Sequence, residues 1–451
     1  MAGDPSTEKL RNDALRIFQA ALCAVDPEEA VKRHLRLSPG GRLEVGGKTW
    51  DLERFRRVLV VGAGKATAPM AKAVEDLLGE RVAGGTVVVK DGHGLPLRRI
   101  AVREAAHPVP DGRGERGSAE ILERLAGCGS DDLVIALISG GASALLVAPV
   151  PGVSLAEKQE TTRLLLASGA TIHEMNTVRK HLSRVKGGGL ARAAHPARLI
   201  TLILSDVVGD DLDVIGSGPS VPDSSRYADA IAILRRYRLW ERLPEAVRRH
   251  LTEGAEGKIP ETPKPGDAIF AGSTAVIVGS CLQALEAAAR AAAGRGYRCL
   301  ILSSRIEGEA REIARALVAV GKESLHSGNP LPPPACLLAG GETTVTLRGE
   351  GRGGRNQELA LAGAIALEGT GRMLLLSAGT DGTDGPTDAA GATADGGTAA
   401  RARRLGLDPR DYLERNDSYA FFDRLGDLIR TGPTRTNVMD VYLLLVGGEA
   451  R

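Results

Sequence analysis

The sequence predicts an α/β protein made of two α/β domains, and three observations carry that prediction. Short continuous apolar runs alternate with segments of helical periodicity, as parallel strands covered on both faces by helices require. Glycines cluster directly after those runs, where strands hand over to helices. A polar stretch over 241–267, ending in the Pro- and Gly-rich string KIPETPKPGD, separates one such alternation from a second. The expected domains are therefore 1–260 and 261–451, the first a doubly wound, mostly parallel sheet.

The elements follow in order. Residues 8–38 place Leu10, Ala14, Ile17, Phe18 and Ala21 at helical spacing and predict one or two helices. FRRVLVVGAGKATAPMAKAVEDLLG then reads as a buried strand (Val58–Val61), a glycine turn, and a helix with Met70, Val74 and Leu77 on one face. GGTVVVKDG, DDLVIALISGGASALL and RLITLILSDVVGDD supply three further strands. Asn176 to Gly189 reads as a helix capped by Asn176 and stopped by glycines. The second alternation runs TAVIVGS, a helix through 281–294, RCLILSS, a helix through 308–320, ACLLAGGE, TTVTLRG, a helix from Asn356 to Leu367, MLLLSAG and VYLLLVG.

Composition narrows the function. The 451 residues are 43% hydrophobic and 25% charged, as in an ordinary globular protein. Fifty-seven glycines exceed the usual share of about 7%, without a collagen period. Net charge is +2, with no basic tail, and only 5 Phe, 6 Tyr and 2 Trp are available for stacking, so no nucleic-acid partner is expected. Five scattered cysteines without CxxC spacing read as reduced thiols. The first residues are charged and lack a signal-peptide core, so a cytoplasmic protein is expected. Leu133 to Ala156 carries no charge, but Gly140, Gly141, Pro149, Pro151 and Gly152 break it, so no membrane span is expected.

The candidate chemistry sits at the glycine turns. Gly62-Ala63-Gly64-Lys65 is a turn whose free N–H groups could approach a phosphate. It is not a P-loop, since position 59 is Leu, and it is an imperfect dinucleotide fingerprint, since the third glycine position holds Thr67. Lys65 at a helix start opposes the dipole unless an anion faces it. Ser139-Gly140-Gly141-Ala142-Ser143 reads as a phosphate cradle, or else as tight strand–helix packing. Arg179, Lys180, Arg184 and Lys186 form a basic face whose default is solvent, with an anionic ligand as the other reading. Asp206 follows a buried strand and is the best candidate for a cation. Glu342 follows Gly340-Gly341, and Arg355 opens a helix after two glycines, a placement that suits phosphate or carboxylate. Asp381, Asp384 and Asp388 lie in one Gly/Thr-rich loop, able to bind a cation or accept a hydroxyl proton. No HExxH and no hydrolase triad can be read. This inventory fits phosphoryl transfer, which is mostly positioning and charge neutralisation.

The strings VGAGKA, HPVPD, SGGASALL, NTVRKHLSRVKGGGLA, LSDVVGDDLDVIGSGP, GGETTVT, GGRNQELALA and GTDGTDGPTDAAGA, in this order, closely resemble the glycerate 2-kinases with a C-terminal MOFRL domain. The resemblance spans nearly the whole chain. It implies a Rossmann-like first domain, a smaller mixed-sheet second domain, and an active site in the cleft between them. It also implies phosphorylation of D-glycerate to 2-phospho-D-glycerate with ATP and Mg²⁺. By motif, Lys65 and Arg355 match the family's main active-site bases, and Asp206, Glu342, Asp381 and Asn437 match further positions. Lys65, Arg355 and Asp381 are then the expected catalytic residues and Asp206 the metal ligand. Gly62, Gly64, Ser139 to Ser143, Glu342 and Asn437 are expected to hold substrate or phosphate. The competing expectation is an NAD(P)-dependent hydroxypyruvate reductase, supported by GAG and by Asp91 after the second strand.

Overall fold

A computed structural model describes residues 5–448. They form two compact units. One is Pro27–Val278, and the other joins the described residues up to Asp26 to those from Gly279 onward. This division differs from the one expected at 260/261, for two physical reasons. The helix Pro5–Ala24 buries Leu10, Ala14, Ile17, Phe18 and Ala21, and it packs on the helix Cys281–Ala293 and on strands of the later residues. The segment 273–279, expected to open the second domain, instead completes the first sheet.

In the unit Pro27–Val278 the helix Pro27–His34 is followed by a small antiparallel sheet, β1 (Arg36–Ser38), β2 (Arg42–Val45) and β3 (Lys48–Asp51), that the sequence pattern does not predict. Its main sheet has six strands: β4 (Arg57–Ala63), β5 (Val82–Lys90), β6 (Ile100–Ala105), β7 (Asp132–Ile138), β8 (Arg198–Leu204) and β9 (Ser273–Gly279). Their order is β6-β5-β4-β7-β8-β9, and the pairings from β6 across to β8 are parallel. The chain winds outward from β4 to β6, returns to the middle, and winds the other way from β7 to β9. This is the doubly wound Rossmann order, whose direction reverses between β4 and β7.

The apolar runs become strands because both faces are covered: β7 is buried at every residue and β4 at every residue but Arg57. After β4, the helix Thr67–Leu78 buries Met70 and Val74 as expected, but Leu78 takes the core place expected of Leu77. Asn176 is not a cap. The helix is Ile172–His181, opened by a Thr171/Glu174 capping box, and Asn176 is buried one turn inside it. Four helices, Leu155–Ala167, Ile172–His181, Tyr227–Arg236 and Glu245–Ala255, close a second apolar core around Leu164, Val178, Leu234 and Leu251. Among the described residues no helix is long and apolar enough to cross a membrane.

The other unit holds a mixed sheet of β10 (Arg298–Glu309), β11 (Ala335–Thr344), β12 (Met373–Gly379), β13 (Gly391–Asp395), β14 (Leu428–Ile429) and β15 (Asp440–Val446). The order is β10-β11-β15-β12-β13-β14, with β10 and β11 parallel and the other neighbours antiparallel. TTVTLRG, expected as a strand, only ends β11 before becoming a loop. The helix Arg355–Leu367 is buried on most sides, against the helix Ala310–Ser327 and against β12 and β13. Its sequence, RNQELALAGAIAL, is uniformly small and apolar after the first turn, as a helix with no solvent face needs.

Candidate active site

Two turns meet where the first sheet reverses direction. Gly62 lies in register with Leu137 on the neighbouring strand, and a Cβ there would sit 2.1 Å from the Leu137 carbonyl oxygen. The turns then bond to each other: Lys65 N–H donates to the Gly140 carbonyl at 2.8 Å, and Ser139 N–H to that of Ala63 at 3.2 Å. Ser139 Oγ accepts from Ala66 N–H at 3.0 Å and lies 3.0 Å from Thr67 Oγ1. It thus provides the start of the helix Thr67–Leu78 with the cap its own residues lack. Gly64 must be glycine, since its φ is +140° and a Cβ would lie 2.1 Å from Ser139 Oγ. The structure therefore brings together Gly62, Gly64, Lys65 and Ser139 to Ser143.

Two histidines outside the expected set join them. His93 Nδ1 is 2.9 Å from the Lys65 carbonyl oxygen. The ring edge of His107, in HPVPD, lies 3.0 Å from where a Gly141 Cβ would be, with Lys65 Cγ 3.4 Å from the same point. Burial, with Lys65 adding to it, pushes His107 down to about 4, so its ring is neutral at pH 7.

Asp206 follows β8, half-buried, one strand beyond β7. In the same loop Asp210 keeps one buried carboxylate oxygen with no hydrogen-bond partner. Among the described residues no three His, Cys, Asp or Glu side chains form a ready metal cage. Magnesium held by one or two carboxylates and phosphate oxygens needs no such cage, so this acidic loop fits it.

In the second unit the arrangement centres on Arg355. Its guanidinium forks onto Asp440, with Nε at 2.6 Å and Nη2 at 3.1 Å, while Nη1 reaches Glu342 at 2.7 Å. Asp440 is fully buried at the start of β15, in register with Gly341 on one side and Gly379 on the other. Both neighbours are glycines; at Gly341 a Cβ would strike the Ile306 backbone of β10 at 2.1 Å. Burial disfavours the Arg355 charge, but Asp440 and Glu342 outweigh it and hold its pKa above the ordinary value.

The three aspartates of the Gly/Thr loop separate into three jobs. Asp381 Oδ1 accepts from Thr383 N–H at 3.0 Å and from its hydroxyl at 3.1 Å. It flanks Gly379 together with Asp440, each with an oxygen 3.5 Å from where a Cβ would be. Asp384 is buried and caps the helix Arg355–Leu367 from a distance, accepting from Asn356 N–H at 3.1 Å and Gln357 N–H at 2.8 Å. Burial raises its pKa to about 6 against those donors. Asp388 is exposed and binds Tyr419 and Arg430. Asn437 turns its oxygen back to Met439 N–H at 3.3 Å, just before β15. Asp440 and Asp384 were missed as supports of Arg355. The signal for Asp440 was an acidic residue abutting VYLLLV.

The expected solvated basic face does not exist for Lys180 and Lys186, which are both buried. Lys180 pairs with Asp213 at 3.1 Å and Asp223 at 3.3 Å.

Comparison with known proteins identifies the family. Residues 13–252 match a domain of unknown function, DUF4147, and residues 335–440 match the MOFRL family. A Thermotoga maritima protein named D-glycerate 2-kinase is 42% identical, over 97% of this chain and 99% of that protein. The chain belongs to this glycerate kinase family. A crystal structure described as glycerate kinase from the same organism superposes on it with a TM-score of 0.87, covering 97% of this chain and 100% of that one. An Agrobacterium vitis relative, 46% identical over 96% of this chain and 93% of its own length, is named putative hydroxypyruvate reductase.

Proposed function

We propose that this glycerate kinase family member phosphorylates D-glycerate at its 2-hydroxyl with ATP, giving 2-phospho-D-glycerate. One observation carries the reading: the GAGK and SGGAS turns close on each other where the sheet order reverses, the position at which open α/β sheets bind ligands, with the Lys65 side chain against Gly141; the amides from Gly64 to Thr67 are spent on holding the turns together, so the Lys65 side chain is the group to meet an anion. In this reading Lys65 and Arg355 stabilise charge on the transferring phosphoryl group or on the glycerate carboxylate. Asp381, oriented by Thr383, accepts the proton of the attacking hydroxyl. Glu342 and Asn437 bind substrate, and the Ser139–Ser143 turn binds phosphate. Asp206, with Asp210, would hold Mg²⁺, which when bound neutralises phosphate charge. The five cysteines form no disulfide, which fits a cytoplasmic setting.

The reductase reading is the weaker one, and the two positions it turns on do not favour it. Thr67, where a dinucleotide fingerprint wants glycine, is buried and bonded to Ser139. Asp91, the candidate for a ribose, is engaged by both arms of Arg113 at 2.7 and 2.8 Å. Purified protein incubated with D-glycerate, ATP and Mg²⁺ should form ADP and a product that enolase consumes without a mutase. A Lys65→Ala variant should lose about 10²–10³-fold in kcat. NADH oxidation by hydroxypyruvate, with no ATP turnover, would overturn the reading.

A further inference from the structure

The unit Pro27–Val278 contains a group of basic side chains without a carboxylate partner. Lys186 is buried, and its Nζ donates to the Ser143 carbonyl at 2.8 Å, to Ser143 Oγ at 3.2 Å and to the Gly216 carbonyl at 3.5 Å. All three acceptors are neutral. Arg179, half-buried on the helix Ile172–His181, makes neither a side-chain hydrogen bond nor an ion pair with the described residues. Its neighbour Lys180 has two aspartates, so the helix is not short of anions in general. Lys158 is also buried, on the Leu182 carbonyl at 2.8 Å and the Arg179 carbonyl at 3.5 Å. It can be understood as a cation closing a helix C-terminus. Arg179 and Lys186 have no such explanation.

Burying cations without counter-charge is costly, and these three repel one another. Burial, with Arg179 and Lys158 adding to it, holds the Lys186 pKa well below the ordinary value. Ser143, which Lys186 grips, is the last residue of the SGGAS turn. Its hydroxyl continues to Ser217 Oγ at 2.8 Å, and Ser217 Oγ donates to Asn176 Oδ1 at 3.1 Å. Lys186 is thus tied to the turn at the reversal point of the sheet, and so is Asn176, one turn before Arg179 on the same helix.

We propose that Arg179 binds the polyphosphate of the nucleotide directly, and that Lys186 supplies compensating charge and positions Ser143 beside it. The proposal rests on the kinase reading and names the part of the site that takes the nucleotide. A polyphosphate is the occupant that matches the charge. Arg179 is charged throughout, and an anion beside it would favour the protonated form of Lys186, so the pair offers two positive charges, whereas glycerate brings one negative. Arg355 already has Asp440 and Glu342, but Arg179 presents an open fork to oxygen atoms.

The test compares wild type with Arg179→Gln and Arg179→Lys, each first shown by thermal melting to fold. Titrations use ADP, inorganic tripolyphosphate, D-glycerate and adenosine. Arg179→Gln should weaken ADP and tripolyphosphate about 10- to 100-fold, the loss of one or two charge-assisted hydrogen bonds. It should leave D-glycerate and adenosine within twofold and raise KM for ATP more than it lowers kcat, with partial recovery in Arg179→Lys. Unchanged ADP affinity, or a loss confined to D-glycerate, overturns the proposal while leaving the kinase reading intact. A wild-type protein that turns over no D-glycerate, yet binds tripolyphosphate in an Arg179-dependent way, overturns the kinase reading and keeps the anion site.

Discussion

Arg355 is anchored so tightly to Asp440 that a purely structural role competes with a catalytic one, and the two can be separated. In Arg355→Met, Asp440 loses both guanidinium contacts and keeps only Tyr442 Oη at 3.2 Å. Stranding a buried charge costs about 3–5 kcal/mol. Arg355 is itself 33% exposed, so some water reaches the pair and the lower end, about 3 kcal/mol, applies. Glu342 is 47% exposed, and its contact adds no more than about 1 kcal/mol. At about 2–4 °C per kcal/mol for a unit of this size, the total of about 3–4 kcal/mol lowers the melting temperature by about 6–16 °C. Adding Asp440→Asn removes the stranded charge, so the double variant should regain most of that loss.

Activity should not follow stability. If Arg355 stabilises charge that develops during transfer, kcat falls about 10²–10³-fold in Arg355→Met and stays low in the double variant. Melting curves and ADP release in the presence of D-glycerate give the two readouts on the same samples. A double variant that recovers both stability and kcat would refute the catalytic role, leaving Arg355 as the counter-ion of Asp440.

Two further perturbations test the frame around the first site. Asp132 is buried and accepts from Arg57 Nε at 3.0 Å, Arg56 Nη2 at 2.9 Å and Gly129 N–H at 2.9 Å. Burial pushes its pKa up, but these donors win and bring it to about 2. A depressed folded-state pKa contributes stability above the unfolded value of about 3.9 and loses it as pH falls towards 2. Asp132→Asn should therefore cost about 2 kcal/mol in urea unfolding at pH 7, with the gap to wild type closing between pH 4 and 2; a gap independent of pH in that window would show that the shift is not its cause. Gly64→Ala combines backbone strain with a Cβ 2.1 Å from Ser139 Oγ and 2.5 Å from the Ser139 carbonyl. It should cost about 3–6 kcal/mol, whereas Gly152→Ala, with φ +83° and nothing within 4 Å, should cost only about 1–2 kcal/mol. Equal melting temperatures for the two would sink the argument that the turns are locked together.

What could be read from the sequence is what local pattern encodes. Central strands such as β4, β7 and β8 are buried on both faces and therefore appear as unbroken apolar runs, with the turns that follow them marked by glycine. The edge strand β6, IAVREA, half faces solvent and carries Arg103 and Glu104, so it shows no unbroken apolar run. The sheet of β1 to β3 is made of strands of three and four residues, too short to show a period. Asn176 passed for a cap because Thr171 and Glu174 lie just upstream of the stretch that drew attention.

Charge is where local pattern stops being informative, because a side chain's environment is set by residues far along the chain. Lys180 and Lys186 occupy one basic string, and nothing in that string distinguishes them. Asp213 and Asp223, 33 and 43 residues away, make Lys180 an ordinary buried ion pair. Ser143, 43 residues away in the other direction, gives Lys186 only neutral oxygens. The same holds for Arg355, whose principal partner Asp440 is 85 residues downstream. A fold brings such partners together at a cost, and it balances most buried charges with a carboxylate. Of the cations it leaves unbalanced, Lys186 grips the turn proposed to hold phosphate, and an incoming anion is the counter-charge that would make its burial, and that of Arg179, physically reasonable.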